Sequence, residues 1–179
     1  MAAATTGWRW RDLEREHRRW VIVNALLVTA AVNLILNGAI AWFSVRGQHV
    51  VPVWAIPRIG SANVFTDTVG TFFFLPLMTC VFSTTFVWVE MRAGRLPPLT
   101  TVEIPDRLRG GRLRRGAVLG AATAAVLTPL AAVVFLLVGT GAAFTVGQFV
   151  VYKAALGVAL GAIVTPIIGL CAMAAPAQA

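Results

Sequence analysis

The chain of 179 residues is too apolar for a soluble domain, because hydrophobic residues make up 58% of it and charged residues only 12%, with a mean hydropathy of +0.80. Soluble domains carry about 25% charged residues, so this composition excludes the soluble globular classes. The formal net charge is +8, but the arginines cluster in two stretches, 9–19 and 92–115, that flank apolar segments. Orientation in a membrane explains that charge more simply than a nucleic-acid partner does.

Four apolar segments follow one another along the chain: Trp20–Val45, Asp67–Val89, Gly116–Gly139 and Gln148–Met173. Each exceeds the roughly 20 residues that a helix needs to cross the hydrocarbon of a bilayer. All are too long and too continuously apolar for the strands of a membrane barrel. We therefore predict an all-α integral membrane protein, a single domain over residues 1–179 built as a bundle of four transmembrane helices.

The distribution of arginine predicts the orientation of the bundle. Residues 1–19 and the loop 90–115 are rich in arginine, whereas the apolar loop 46–66 has few charges and the turn 140–147 has none. The positive-inside rule then places both termini and the loop 90–115 in the cytoplasm, with 46–66 as an outer loop. We expect a multi-pass protein of the plasma (inner) membrane of a bacterium.

The segment 1–19 has an amphipathic pattern, since Trp8, Trp10 and Leu13 lie among arginines at near-helical spacing, with Trp20 following. This pattern predicts a short amphipathic helix on the cytoplasmic surface, with the arginines on anionic lipid. The alternative is a flexible basic tail.

Small residues recur every four positions in the last two spans. The positions are Gly116 and Gly120 in span three, and Gly157, Gly161, Thr165 and Gly169 in span four. Such rows let another helix backbone approach closely, so we expect these spans to pack on each other or on a second subunit. Thr29–Val32 also recurs as Thr123–Val126, which would fit a duplicated two-helix hairpin.

Four polar or ionisable side chains fall within the apolar segments and require an explanation. Asn33 and Asn37 share one face of span one, and Asp67 begins span two. Lys153 lies further into span four, at a depth comparable to that of Asn37. They could serve as interhelical hydrogen bonds, with Lys153 snorkelling to lipid phosphates and Asp67 solvated. The sharper hypothesis is an Asp67–Lys153 pair that closes a polar pocket open to the outside, on a ligand or ion pathway.

Span two carries a further polar row after Asp67, formed by Thr71, Thr79 and Ser83. Hydroxyl side chains in membrane helices often bond the carbonyl one turn earlier in their own helix. We therefore expect this row to be satisfied locally.

Motifs for catalysis and for cofactors are absent from the sequence. It has no phosphate-binding loop, no metal-ligand spacing and no nucleophile motif. Cys80 and Cys171 are expected at different depths in the membrane, so we expect no disulfide between them. We predict a protein that is not an enzyme and has no catalytic residues, metal or cofactor.

The favoured function is a permease or channel-like protein that acts as an oligomer. The alternatives are a non-catalytic subunit or assembly factor of a larger membrane complex, and a receptor for a small outer-side ligand. The expected partners are the lipid bilayer and either a second copy of the chain or another membrane protein. We expect no nucleic-acid partner.

Overall fold

The computed structural model describes residues 13–55, 62–99, 108 and 110–174. Most of this part of the chain is helical, and it also contains two short strands. Its elements in chain order are α1 (Arg15–Val45), β1 (Val50–Pro52), α2 (Val64–Arg92), α3 (Arg112–Val138), β2 (Ala143–Thr145) and α4 (Val146–Ala174). All four helices are long and apolar enough to cross a membrane, as the four apolar segments predict.

The helices extend beyond the apolar segments that predict them. Helix α1 begins at Arg15, and its first turns, Arg15–Trp20, continue without a break into a π-helical stretch, Val21–Val28, and then into Thr29–Val45. Backbone hydrogen bonding does not require apolar side chains, so helices run on through the charged residues at their ends. Of the predicted amphipathic helix within residues 1–19, residues 15–19 are helical and continuous with the first apolar segment, and Trp8 and Trp10 lie outside the described residues.

The four helices do not pack in chain order. Helix α4 lies between α1 and α2, and α3 packs on α2. The glycine row of α4 faces α1, and the glycine row of α3 faces α2. The expectation that spans three and four pack on each other through these rows is therefore wrong, because each row packs on a helix of the first hairpin. Duplication of the two-helix hairpin stays a prediction.

A two-stranded antiparallel ribbon closes one end of the bundle. Strand β1 pairs with β2, with Val51 opposite Phe144, in segments that the sequence analysis treats as loops. Val51, Val64 and Phe149 are fully buried in the apolar cluster beside the ribbon. We call this end of the bundle the ribbon end and the opposite end the Arg-rich end.

At the Arg-rich end the connection after α2 folds back onto the bundle. Residues 93–99 are not helical, as expected for this part of the loop 90–115, and residues 100–107 and 109 lie outside the described part. The Leu99 amide donates to the Met173 carbonyl at 3.0 Å, and the His17 ring bonds the Pro97 carbonyl at 3.0 Å. These bonds anchor the connection on α1 and α4.

Candidate functional site

Lys153 is buried in the bundle with hydrogen-bond partners for its ammonium group. Its side chain is 7% exposed, and it forms an ion pair with the Asp67 carboxylate. The ammonium group also donates to the Thr71 hydroxyl at 2.5 Å and to the Asp67 main-chain oxygen at 3.5 Å. These acceptors match the three donors of an ammonium group. The Asp67 side chain is 20% exposed, so the carboxylate is the more accessible member of the pair.

The start of α2 positions the carboxylate. The Asn63 side chain caps the helix by accepting a bond from the Thr66 amide at 2.9 Å. Asp67 then lies in the first turn, where the helix dipole stabilises a negative charge. One turn later, the Thr71 hydroxyl donates to the Asp67 main-chain oxygen at 2.7 Å, which leaves its own oxygen free to accept from Lys153.

The start of α4 positions the ammonium group. The Gln148 amide donates to the Thr145 hydroxyl at 3.2 Å, and the Thr145 amide donates to the Gln148 side-chain oxygen at 2.9 Å. This reciprocal pair has the pattern of a capping box. Next to Lys153, the hydroxyls of Tyr152 and Thr68 lie 2.7 Å apart in a hydrogen bond, which ties α4 to α2 beside the ion pair.

The two asparagines of α1 face the glycines of α4. Asn33 and Asn37 are buried, with Gly161 opposite Asn33 and Gly157 opposite Asn37. A Cβ atom on either glycine would collide with the amide across from it. The Asn37 amide donates to the Asn33 main-chain oxygen at 3.0 Å and contacts its side-chain oxygen at 3.4 Å. The glycine row of α4 and the two asparagines of α1 therefore form one interface.

A groove of about 560 Å³ separates α1 from α2 and reaches Lys153 of α4. It contains all four residues for which the sequence suggests a ligand or ion pathway, together with four hydroxyl side chains. Its polar lining residues are Thr29, Asn33, Asn37, Asp67, Thr71, Thr79, Ser83 and Lys153. Apolar side chains of α1 and α2 form the rest of its wall.

The groove is open along the side of the bundle. Its rim carries Leu36, Ile40, Phe74 and Phe82, all of which are more than half exposed. At the ribbon end, buried Ala41, Val45 and Phe149 belong to the apolar cluster beside β1 and β2. That the pocket is open to the outside stays a prediction.

The remaining small residues of the packing rows also make close helix contacts. A Cβ atom on Gly120 would lie 2.5 Å from the Phe73 carbonyl oxygen, and one on Gly116 would lie 2.9 Å from the Leu77 carbonyl oxygen. Gly169 lies against the ring of Trp20. Thr165 is buried, and its hydroxyl has no hydrogen-bond partner among the described residues.

Other reactive or charged groups lie apart from the groove. At the Arg-rich end, Arg95 binds Glu90 through two hydrogen bonds of 2.7 and 2.9 Å. These bonds and the charge of Glu90 raise the pKa of the Arg95 guanidinium. Cys80 and Cys171 are free, and no group of three histidine, cysteine or acidic residues that could hold a metal ion occurs in the part of the chain described.

Comparison of the chain with models of protein families, with curated proteins and with solved structures finds no match.

The sequence predicts a polar pocket at these residues, but it does not indicate that Thr71 binds Lys153 or that the pocket is a groove between α1 and α2. The signal for Thr71 was its spacing of one helical turn from Asp67. Thr79 and Ser83 continue that face, and Thr29 continues the face of Asn33. Only the packing of α1 and α2 reveals that these two faces lie across one groove.

Proposed function

We propose that this protein spans the inner (plasma) membrane of a bacterium four times, with both termini and the Arg-rich end in the cytoplasm. Four helices of sufficient length and hydropathy support membrane insertion. Arg18, Arg92, Arg112 and Arg114 at one end of the bundle support the orientation by the positive-inside rule. The same arginines offer a surface for anionic lipid. The ribbon end then faces the outside.

Within that membrane we propose a permease-type function without catalysis, in which a polar ligand moves along the groove between α1 and α2. The observation that carries this proposal is the ion pair of Lys153 and Asp67, which lies inside the groove. Ionisable groups at membrane depth are costly and typically lie on substrate or ion pathways. Packing alone would require neither a charged pair nor an open volume beside it.

We propose that the working unit is an oligomer. Four helices are few for a transport pathway, and α3 presents a largely exposed apolar surface, with Val126 70% and Leu137 83% exposed. Lipid or a neighbouring copy would cover that surface. Light scattering of the protein in mild detergent tests this, and a strict monomer would contradict it.

A substituted-cysteine experiment tests whether the groove is a polar pathway. In a background with Cys80 and Cys171 replaced by serine, a single cysteine is introduced at Thr79 in the groove or at Val126 on α3. Both positions lie near the middle of their helices. A membrane-impermeant methanethiosulfonate reagent should label T79C much faster than V126C, because only the groove admits water. Equal and slow labelling at both positions would contradict the proposed pathway.

A further inference from the structure

The polar side chains of the groove form a continuous row along the bundle axis. Lys153 lies level with Asp67 and Thr71 on α2, because it bonds both of them. Asn37 lies opposite Gly157, so the Asn37 side-chain amide is one turn further along α4 than Lys153. The next turn brings Asn33 opposite Gly161. No step in this part of the row exceeds about 6 Å, the length of four helical residues at 1.5 Å per residue.

The row then continues towards the Arg-rich end. Thr79 and Ser83 of α2 and Thr29 of α1 line the far part of the groove. From Asp67 to Ser83 the row covers 16 helical steps, which correspond to about 24 Å. The hydrocarbon core of a bilayer is roughly 30 Å thick. Polar groups therefore accompany the groove through most of the depth from which water is excluded.

The open side of the groove is apolar. Leu36, Ile40, Phe74 and Phe82 on its rim are more than half exposed, while Asn33 and the ion pair lie behind them. A small solute would need only an enclosed path and has no use for such an opening. A lipid would use both features, because its head group could follow the polar row while its acyl chains stay in the bilayer.

The charge of the row restricts the head group. Lys153 and Asp67 cancel each other, so the lining of the groove is neutral overall. An anionic head group would leave a net charge at membrane depth, which is costly. A zwitterionic head group would keep the site neutral by exchanging partners with the ion pair: its phosphate would replace the Asp67 carboxylate at Lys153, and its ammonium group would bind the freed carboxylate. This complementarity favours a zwitterionic phospholipid over an anionic one.

We propose that the groove conducts zwitterionic phospholipid head groups between the two leaflets of the membrane. This rests on the proposed function, since it names the substrate of the same pathway. The Lys153–Asp67 pair receives the head group near the outer end, and Asn37, Asn33 and Thr79 accept it in turn. No covalent step is involved.

The test is a lipid-transfer assay in proteoliposomes. The protein is reconstituted into vesicles that contain a trace of phosphatidylethanolamine with a fluorophore on a short acyl chain, so that the head group is native. Serum albumin outside the vesicles extracts only the labelled lipid that reaches the outer leaflet. Vesicles with the protein should release nearly all of the label, and protein-free vesicles only about half. Phosphatidylglycerol with the same label should transfer at least about tenfold more slowly, which corresponds to about 1.4 kcal/mol in the barrier.

Two variants and one control connect the transfer to the groove. T79L/S83L blocks the row and leaves the ion pair intact, and D67L/K153M removes the charges together. Each should slow phosphatidylethanolamine transfer at least about tenfold. E90Q/R95Q removes an ion pair at the Arg-rich end, outside the groove, and should transfer like the unchanged protein.

The outcomes separate this inference from the proposed function. Release of only about half the label by the unchanged protein would overturn the lipid substrate, as would equal transfer of both lipids or transfer unaffected by T79L/S83L. If T79C is nevertheless labelled quickly in the cysteine experiment, the polar pathway stands with another ligand. If T79C is labelled as slowly as V126C, the proposed function fails as well, and a groove filled by a partner helix would explain both results.

Discussion

Removing one member of the Lys153–Asp67 pair should destabilise the protein more than removing both. The two side chains are only 7% and 20% exposed, so each single replacement leaves a charge that water cannot fully solvate. Breaking a buried ion pair in this way costs about 3–5 kcal/mol, whereas apolar replacement of both partners is often close to neutral.

The exposure of the two groups predicts which single change is worse. K153M leaves the more exposed carboxylate behind, so its cost should lie near the lower limit, about 3 kcal/mol. D67L leaves the more buried ammonium group with the Thr71 hydroxyl as its remaining side-chain partner, so its cost should approach about 5 kcal/mol. At about 2–4 °C per kcal/mol for a protein of this size, Tm should fall by about 6–12 °C in K153M and about 10–20 °C in D67L.

Thermal unfolding in detergent, followed by intrinsic tryptophan fluorescence, measures these shifts. The double variant D67L/K153M should recover most of the loss, and the swap D67K/K153D should be more stable than either single reversal. The pair of Glu90 and Arg95, in which the arginine side chain is 61% exposed, provides the control, since E90Q/R95Q should change stability by less than about 1 kcal/mol. If the loss in D67L/K153M equals the sum of the two single losses, the two groups do not interact and the reasoning is wrong.

The glycine contacts give two further predictions that the same unfolding measurement checks. G161A should lower stability by about 1–3 kcal/mol because its Cβ would collide with the Asn33 amide. The control G147A, with nothing within 4 Å of its Cβ, should change stability little. Equal effects of the two variants would contradict the close packing of α1 on α4. G120A should lower stability at least as much as G161A, because its Cβ would lie 2.5 Å from the Phe73 carbonyl oxygen, which belongs to the backbone of α2. A smaller effect would show that α3 and α2 lie further apart.

The four helices could be predicted from the sequence because long apolar segments satisfy the length requirement for crossing a bilayer. Their ends could not, since α1 begins at Arg15 and α2 continues to Arg92, beyond any apolar signal. The three-residue strands could not be predicted either. The pairing of Val51 with Phe144 depends on how distant segments meet at the ribbon end.

Part of the candidate site followed from depth alone. Asp67 lies in the first turn of α2 and Lys153 about two turns into α4, both near the same end of the bundle, and the structure brings them together. The helix that packs on each glycine row could not be predicted from the sequence. A row of small residues indicates that another helix approaches closely, but it does not identify that helix. Asn33 and Asn37 are four residues apart, and so are Gly157 and Gly161. This shared spacing is the sequence signal that α1 packs on α4.

The groove is a consequence of the exchanged helix order. Because α1 takes α4 as its close neighbour and α2 takes α3 and α4, the two helices of the first hairpin are held apart by a third. The glycines at 157 and 161 bring α1 close enough to α4 to bury its amides, and Lys153 on the same helix reaches across to Asp67 of α2. One helix thus separates the walls of the groove and supplies the cation at its floor. A substitution that pushes α1 away from α4, such as G161A, should therefore impair both stability and passage through the groove, whereas T79L/S83L should impair passage alone.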